Sequence, residues 1–157
     1  MGPHIVSAFD DDLIAVQAKI SEMGGLAEEL LRNALEAVQN RDAELAMKVR
    51  QRDKDLDALE LELETMATRV IALRQPMAQD LRVLISALKI ASTLERIGDL
   101  AKNIARRAAY LAQARPVKIS HSIVNMGQAT LAQLSEVLDA HGSRNAEQAV
   151  AIWKNDV

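Results

Sequence analysis

Three features of this 157-residue chain predict an all-α fold of long antiparallel helices. Apolar residues recur at alternating steps of three and four, the rhythm of a helix seam. About half of the chain is apolar, nearly all of it Ala, Leu, Val, Ile and Met, with Phe9, Tyr110 and Trp153 as the only aromatics, so sheet propensity is poor. Proline stands only at 3, 76 and 116, which leaves long stretches without a helix breaker.

The first helix is predicted from about Phe9 to Gln39, with its seam at Leu13, Val16, Ile20, Met23, Ala27, Leu30, Ala34 and Val38. A polar break at Asn40-Arg41-Asp42 separates it from a second helix, about 42–74, whose rhythm resumes at Val49, Leu56, Leu59, Leu63, Met66, Val70 and Leu73. So short a connection favours antiparallel neighbours. Pro76 ends the second helix and opens the third, about 77–113, because proline is tolerated in a first turn and biases Gln75 away from helical geometry. Asp80 then lies near a positive helix end. The third helix is apolar on two sides: Leu81, Leu84, Ile85 and Leu88 form one stripe, and Val83, Ile90, Ile97, Ala101, Ile104 and Ala108 form another. Such a helix is expected between two partners. Residues 114–120 read as a linker, and 121–157 as two further helices.

Those last segments repeat the first. An offset of 103 aligns Met23-Gly24 with Met126-Gly127, Leu31 with Leu134, Leu35 with Leu138, Ala37 with Ala140 and Arg41 with Arg144, without a gap. It also aligns Ala43-Glu44 with Ala146-Glu147, Ala46 with Ala149 and Asp53 with Asp156. This is an internal repeat of a helical unit, its second copy incomplete. The hairpin 121–157 cannot enclose Val124, Leu131, Leu134, Val137, Leu138 and Ile152 by itself. It is expected to pair with a second copy, as a dimer, or to pack across the end of the first bundle.

Composition excludes several function classes. A net charge of −3 with acids and bases interspersed offers no basic face for nucleic acid. Without cysteine there is no disulfide, thiolate chemistry or Cys-ligated metal. No segment approaches the ~20 apolar residues that span a bilayer, and Met1 to Asp12 lacks a signal pattern, so a soluble cytoplasmic protein is expected. His4, His121 and His141 lie outside the acidic motifs and read as structural or exposed. The Glu-x-x-His pairs of di-iron bundles are missing, and no nucleophile constellation appears. Ser92 and Thr93 read as ordinary helical hydroxyls. No catalytic centre is expected.

Two carboxylate pairs stand out, Asp53…Asp57 and Glu95…Asp99, each spaced i, i+4 so that both acids share a helix face. Like charges one turn apart repel unless a cation lies between them. On the second helix Asp53, Asp57, Glu60 and Glu64 form an acidic stripe about 110° from the Leu56/Leu63/Val70 seam. On the third, Glu95 and Asp99 prolong the stripe of Leu81, Leu84 and Leu88. Carboxylates there need a cation or strong hydrogen bonds. Arg96, Lys102 or Arg106 can supply that charge, and so can a metal ion. With carboxylate ligands only, hard cations are favoured, namely Mg²⁺, Ca²⁺, Mn²⁺ or iron, and zinc fits less well. Gly98, mid-helix between the second pair, agrees with a close helix approach or an ion's coordination shell.

The string Arg74-Gln75-Pro76-Met77-Ala78-Gln79-Asp80-Leu81-Arg82, followed by Leu94-Glu95-Arg96-Ile97-Gly98-Asp99-Leu100-Ala101-Lys102-Asn103-Ile104, closely resembles the PhoU family of phosphate-regulon proteins. Met23-Gly24-Gly25 and Asp53…Asp57 fit at the expected distances, and the resemblance covers residues 9 to 113. It implies a tandem of three-helix bundles, each gathering a metal ion or cluster on two Glu/Asp-x-x-x-Asp motifs. The implied ligands are Asp53, Asp57, Glu95 and Asp99. Asp80, Arg82, Arg96 and Asn103 are supporting positions, and Asp156 opens an incomplete second site. The resemblance further implies a negative regulator of phosphate uptake that contacts a membrane histidine kinase and a phosphate-transporter ATPase at the inner face of the membrane. A metal-dependent phosphoester hydrolase is the alternative, and a purely structural helical spacer the third reading.

Overall fold

The computed structural model describes residues 3–115 and 121–155, with side chains from Phe9 onward. The described residues form five helices: α1 (Pro3–Asn40), α2 (Ala43–Arg74), α3 (Gln79–Gln113), α4 (His121–Gly142) and α5 (Ala146–Asn155). Helices α1, α2 and α3 pack pairwise into one bundle, α4 lies against α1, and α5 folds back on α4. Ile20, Met23, Leu30, Leu56, Leu63 and Leu84 are the largest apolar side chains wholly withdrawn from solvent. Each contributes about 1.5–3 kcal/mol of burial. The seam expected on α1 is the observed one, although the helix begins at Pro3, six residues before Phe9.

The α1–α2 turn is made by Arg41 in the left-handed region, φ 54°, followed by Asp42, whose Oδ1 accepts from Leu45 N–H at 2.9 Å. That cap satisfies one of the free donors of the first turn of α2. The α4–α5 turn reproduces it: Arg144 has φ 53°, and Asn145 Oδ1 accepts from Gln148 N–H at 3.0 Å. Backbone bonds match as well, Asp42 N–H to Ala37 O at 3.0 Å and Asn145 N–H to Ala140 O at 2.9 Å. Donor and acceptor in the second turn are those of the first moved by 103 positions. The repeat is thus a repeat of structure.

Three details differ from the sequence expectation. Helix α3 starts at Gln79, not at 77, because Gln75 caps α2 in the left-handed region and Ala78 at φ 46° lies outside helical geometry. The seam of α3 runs between the two expected stripes, taking Leu84 from the first and Ala101 and Ala108 from the second. It is Leu84, Ala87, Ala91, Leu94, Gly98, Ala101, Ala105 and Ala108, flanked by the partly buried Leu88, Ile90, Ile97 and Ile104, while Leu81 and Ile85 are exposed. Small residues form that line because α3 packs against both α1 and α2, and close backbone approach outweighs side-chain bulk there. The hairpin does not cross the end of the bundle. It runs along α1, with Leu134 buried and Leu138 seated over Gly24, and leaves Ile123, Met126 and Val137 exposed.

Candidate metal centre

Asp53 occupies a seam position of α2, in line with Ala46, Val49, Leu56, Leu63, Ala67 and Val70. It does not stand on a flanking stripe, which corrects the helical-wheel placement. At 1% exposure it is the one buried charged side chain among the described residues. Removing a carboxylate from water costs several kcal/mol unless a positive charge and hydrogen bonds compensate. Lys102 Nζ of α3 supplies the positive charge in a close ion pair with Asp53 Oδ2, while Asp53 Oδ1 has no hydrogen-bond partner. The same ammonium donates to Asp99 Oδ1 at 3.2 Å. Lys102 therefore bridges α2 and α3 through two of the four expected ligands.

The other two acids flank this pair. Partial desolvation first, then the charge of Asp53, push the carboxyl of Asp57, a residue at the exposed edge of the group, above its ordinary range, against an opposing pull from Lys102 that exceeds the push of Asp99. Burial likewise raises Glu95, followed by Asp99, Glu60, Asp57 and a hydrogen bond with Asp99. Lys102 is held protonated above its ordinary range by its contacts with Asp53 and Asp99. Asp53, Asp57, Glu95 and Asp99 are thus one electrostatically coupled group, with Glu60 at its edge and a single ammonium within it. Gly98 lies where α3 closes on this group: a Cβ there would come within 2.5 Å of Leu56 Cδ2 and 3.4 Å of Asp53 Oδ1.

The supporting positions are not part of this group. Asp80 and Arg82 belong to the start of α3, roughly 28 and 25 Å along the helix from Asp99 at about 1.5 Å per residue. Arg96 and Asn103 are exposed, and Asp156 lies outside the described residues. Thr93 Oγ1 donates to Lys89 O at 2.9 Å, as expected of a helical hydroxyl. His141 Nε2 meets Gln17 Oε1 at 3.1 Å and ties α4 to α1. Among the described residues, no three His, Cys, Asp or Glu side chains are gathered as a ready ligand set. The donor chemistry nevertheless suits a hard cation: carboxylates only, with a buried oxygen lacking a hydrogen bond.

Sequence reasoning missed Arg41. Its guanidinium crosses from the α1–α2 turn to the end of α3, where Nε donates to Leu111 O at 3.1 Å and Nη2 donates to Leu111 O and, at 2.7 Å, to Ala114 O. It closes the far end of the bundle by capping free carbonyls of α3. The one available signal was its recurrence as Arg144 in the repeat.

The PhoU domain family matches residues 20–108, a span holding all four acids and Lys102. The chain belongs to the PhoU family. The phosphate-specific transport system accessory protein PhoU homolog of Caulobacter vibrioides is 41% identical over 157 residues, covering 99% of this chain and 68% of the relative. The phosphate-specific transport system accessory protein PhoU of Escherichia coli K12 is 34% identical, covering 99% of this chain and 65% of the relative. The chain thus spans about two thirds of the length of these relatives. The crystal structure of PhoU from Pseudomonas aeruginosa superposes with a TM-score of 0.90 at 34% identity, over 94% of this chain and 71% of that one. The phosphate transport system regulatory protein PhoU from Streptococcus pneumoniae gives 0.85 at 28% identity, over 94% and 70%. The PhoU fold accounts for the whole arrangement of α1 to α5.

Proposed function

We propose that this PhoU-family chain is a regulatory adaptor of phosphate homeostasis. It restrains phosphate uptake and phosphate-regulon signalling through contacts with a membrane histidine kinase and a phosphate-transporter ATPase on the cytoplasmic side. On the names of its relatives the chain is an accessory protein and not an enzyme. Among the described residues no helix is long and apolar enough to cross a membrane, so such a role calls for docking onto other proteins. Leu73 and Met77, 68% and 80% exposed around the α2–α3 turn, are an apolar projection of the kind docking uses.

The observation that carries the reading is the α2–α3 acidic groove inside the family-matched span. Asp53, Asp57, Glu95 and Asp99 would hold a hard metal ion, with Mg²⁺, Mn²⁺ or iron favoured over Ca²⁺ or Zn²⁺. Bound there, the ion links two helices and cancels the repulsion among four carboxylates, tying bundle stability to metal supply. The exposed Ile123, Met126 and Val137 on α4 support association with a second copy as a homodimer. Elemental analysis of the Glu95→Ala, Asp99→Ala double variant tests the metal reading, with helical content as the control. Metal is expected to vanish while the helices remain, and undiminished stoichiometry refutes it. Restored repression of phosphate uptake in a strain lacking its own PhoU tests the adaptor reading. Turnover of phosphate esters that depends on Glu95 and Asp99 would favour the hydrolase instead.

A further inference from the structure

Within the acidic groove the positive charge is supplied by the chain. Lys102 Nζ lies between Asp53 Oδ2 on α2 and Asp99 Oδ1 on α3, so the ammonium takes the position a bridging cation needs. Three properties make it a provisional occupant. Its side chain is 42% exposed, against 1% for Asp53, so the flexible four-carbon stem has an open path to solvent. It is one positive charge shared between two carboxylates, Asp53 and Asp99, of the four expected ligands. It reaches only Asp53 Oδ2, and Asp53 Oδ1 has no hydrogen-bond partner. A buried carboxylate with one oxygen unserved gains from exchanging an ammonium for a cation of higher charge.

We propose that Lys102 is the resident counter-cation of this groove, that metal binding displaces it into solvent, and that it thereby sets the site's metal affinity. The inference rests on the groove being a metal site. While Lys102 is in place it pins α2 to α3 in the metal-free protein. It also imposes a threshold, since a metal ion must outcompete a tethered ammonium before reaching Asp53.

The test uses the full chain with Mn²⁺ as the probe. Titration calorimetry on the unmodified protein, Lys102→Gln and Lys102→Arg is expected to give roughly tenfold or tighter binding in Lys102→Gln, where the competing charge is gone. Lys102→Arg, whose guanidinium is matched to carboxylates, is expected to bind more weakly than the unmodified protein. Acylation of Lys102 by an amine-reactive ester, followed by mass spectrometry, needs no variant and is expected to quicken several-fold on adding Mn²⁺. Binding that is equally tight in all three proteins, or Lys102 acylation unchanged or slowed by Mn²⁺, overturns the displacement while leaving the metal site standing. Absence of Mn²⁺ binding in all three proteins overturns both.

Discussion

Leu138 of α4 is seated over Gly24 of α1 so closely that a Cβ at Gly24 would lie 2.6 Å from Leu138 Cδ2. The contact has a counterpart: a Cβ at Gly127 of α4 would lie 2.5 Å from Leu35 Cδ2 of α1. Gly127 is Gly24 moved by 103 positions, and Leu138 is Leu35 moved by the same offset. The first helices of the two units therefore cross about a local two-fold, each supplying a glycine to the other's leucine, in the manner of an isologous interface. Gly24→Val is expected to loosen α4 from α1 without unfolding the bundle, because α1 meets α2 and α3 through other residues. Hydrogen exchange checks this: amides of α4 and α5 should lose protection while those of α3 keep it. Gly24→Ala with Leu138→Ala should cost less than the two single changes together, as expected for residues in contact. Strict additivity would show that the crossing does not depend on this contact.

The repeat that produces this symmetry was legible in the sequence, since Met-Gly, the two leucines and Arg41/Arg144 share one offset. What could not be read was where the second unit would lie, because an apolar helix face does not name its partner. Of the α3 seam only Leu84, Ala101 and Ala108 were expected, for a related reason. A periodicity search weights Leu and Ile, whereas the residues that let α3 approach two helices at once are Ala87, Ala91, Ala105 and Gly98. The four acids were identified by spacing, yet the full burial of Asp53 was not, since polarity argues for the surface and only the seam register, three residues before Leu56, argues against it.

Gly98 is a sharper case than Gly24. Its missing Cβ would strike Leu56 Cδ2 at 2.5 Å, and Leu56 is wholly buried, so that side chain has little room to move. Alanine would gain about 1 kcal/mol in helix propensity but cost about 1–3 kcal/mol in overpacking. Gly98→Ala is therefore expected to be destabilising by about 1 kcal/mol in urea denaturation, and Leu56→Ala in the same chain should absorb part of that penalty. A stabilised Gly98→Ala would show that α3 approaches α2 less closely at this point.

Arg41 and Arg144 share a backbone conformation and a place in the repeat, but only Arg41 caps a described helix. Removing its guanidinium frees the carbonyls of Leu111 and Ala114, at about 1–3 kcal/mol for a charged donor lost. Arg41→Ala should lower the thermal midpoint and speed exchange in the last turns of α3. Arg144→Ala, at an exposed position, should stay within about 0.5 kcal/mol of the unmodified protein. Equal effects would mean that the turn conformation, not the cap, is what Arg41 contributes.

The acidic groove predicts a pH dependence with a definite sign. Burial, chiefly, raises the carboxyls of Asp57 and Glu95. An acid with a raised folded-state pKa favours folding while protonated, so its contribution is full below its ordinary range and is lost as pH rises through the raised value. Lys102, also raised, behaves as a base: its contribution holds through neutrality and is lost only as pH rises above its ordinary 10.5. In metal-free protein, Asp57→Asn with Glu95→Gln should therefore be more stable than the unmodified chain at pH 7, by up to about 1 kcal/mol after allowing for solvent screening. The gap should close as pH falls toward 4, where the native acids take up protons. Urea denaturation at pH 4, 5.5 and 7 with a chelator present measures it. A double variant less stable at pH 7, or a gap that widens on acidification, would show that the two acids are stabilised by partners and not strained by burial and one another. The same double variant should gain nothing from Mn²⁺, so the changes that relieve the metal-free bundle are those that remove its response to metal.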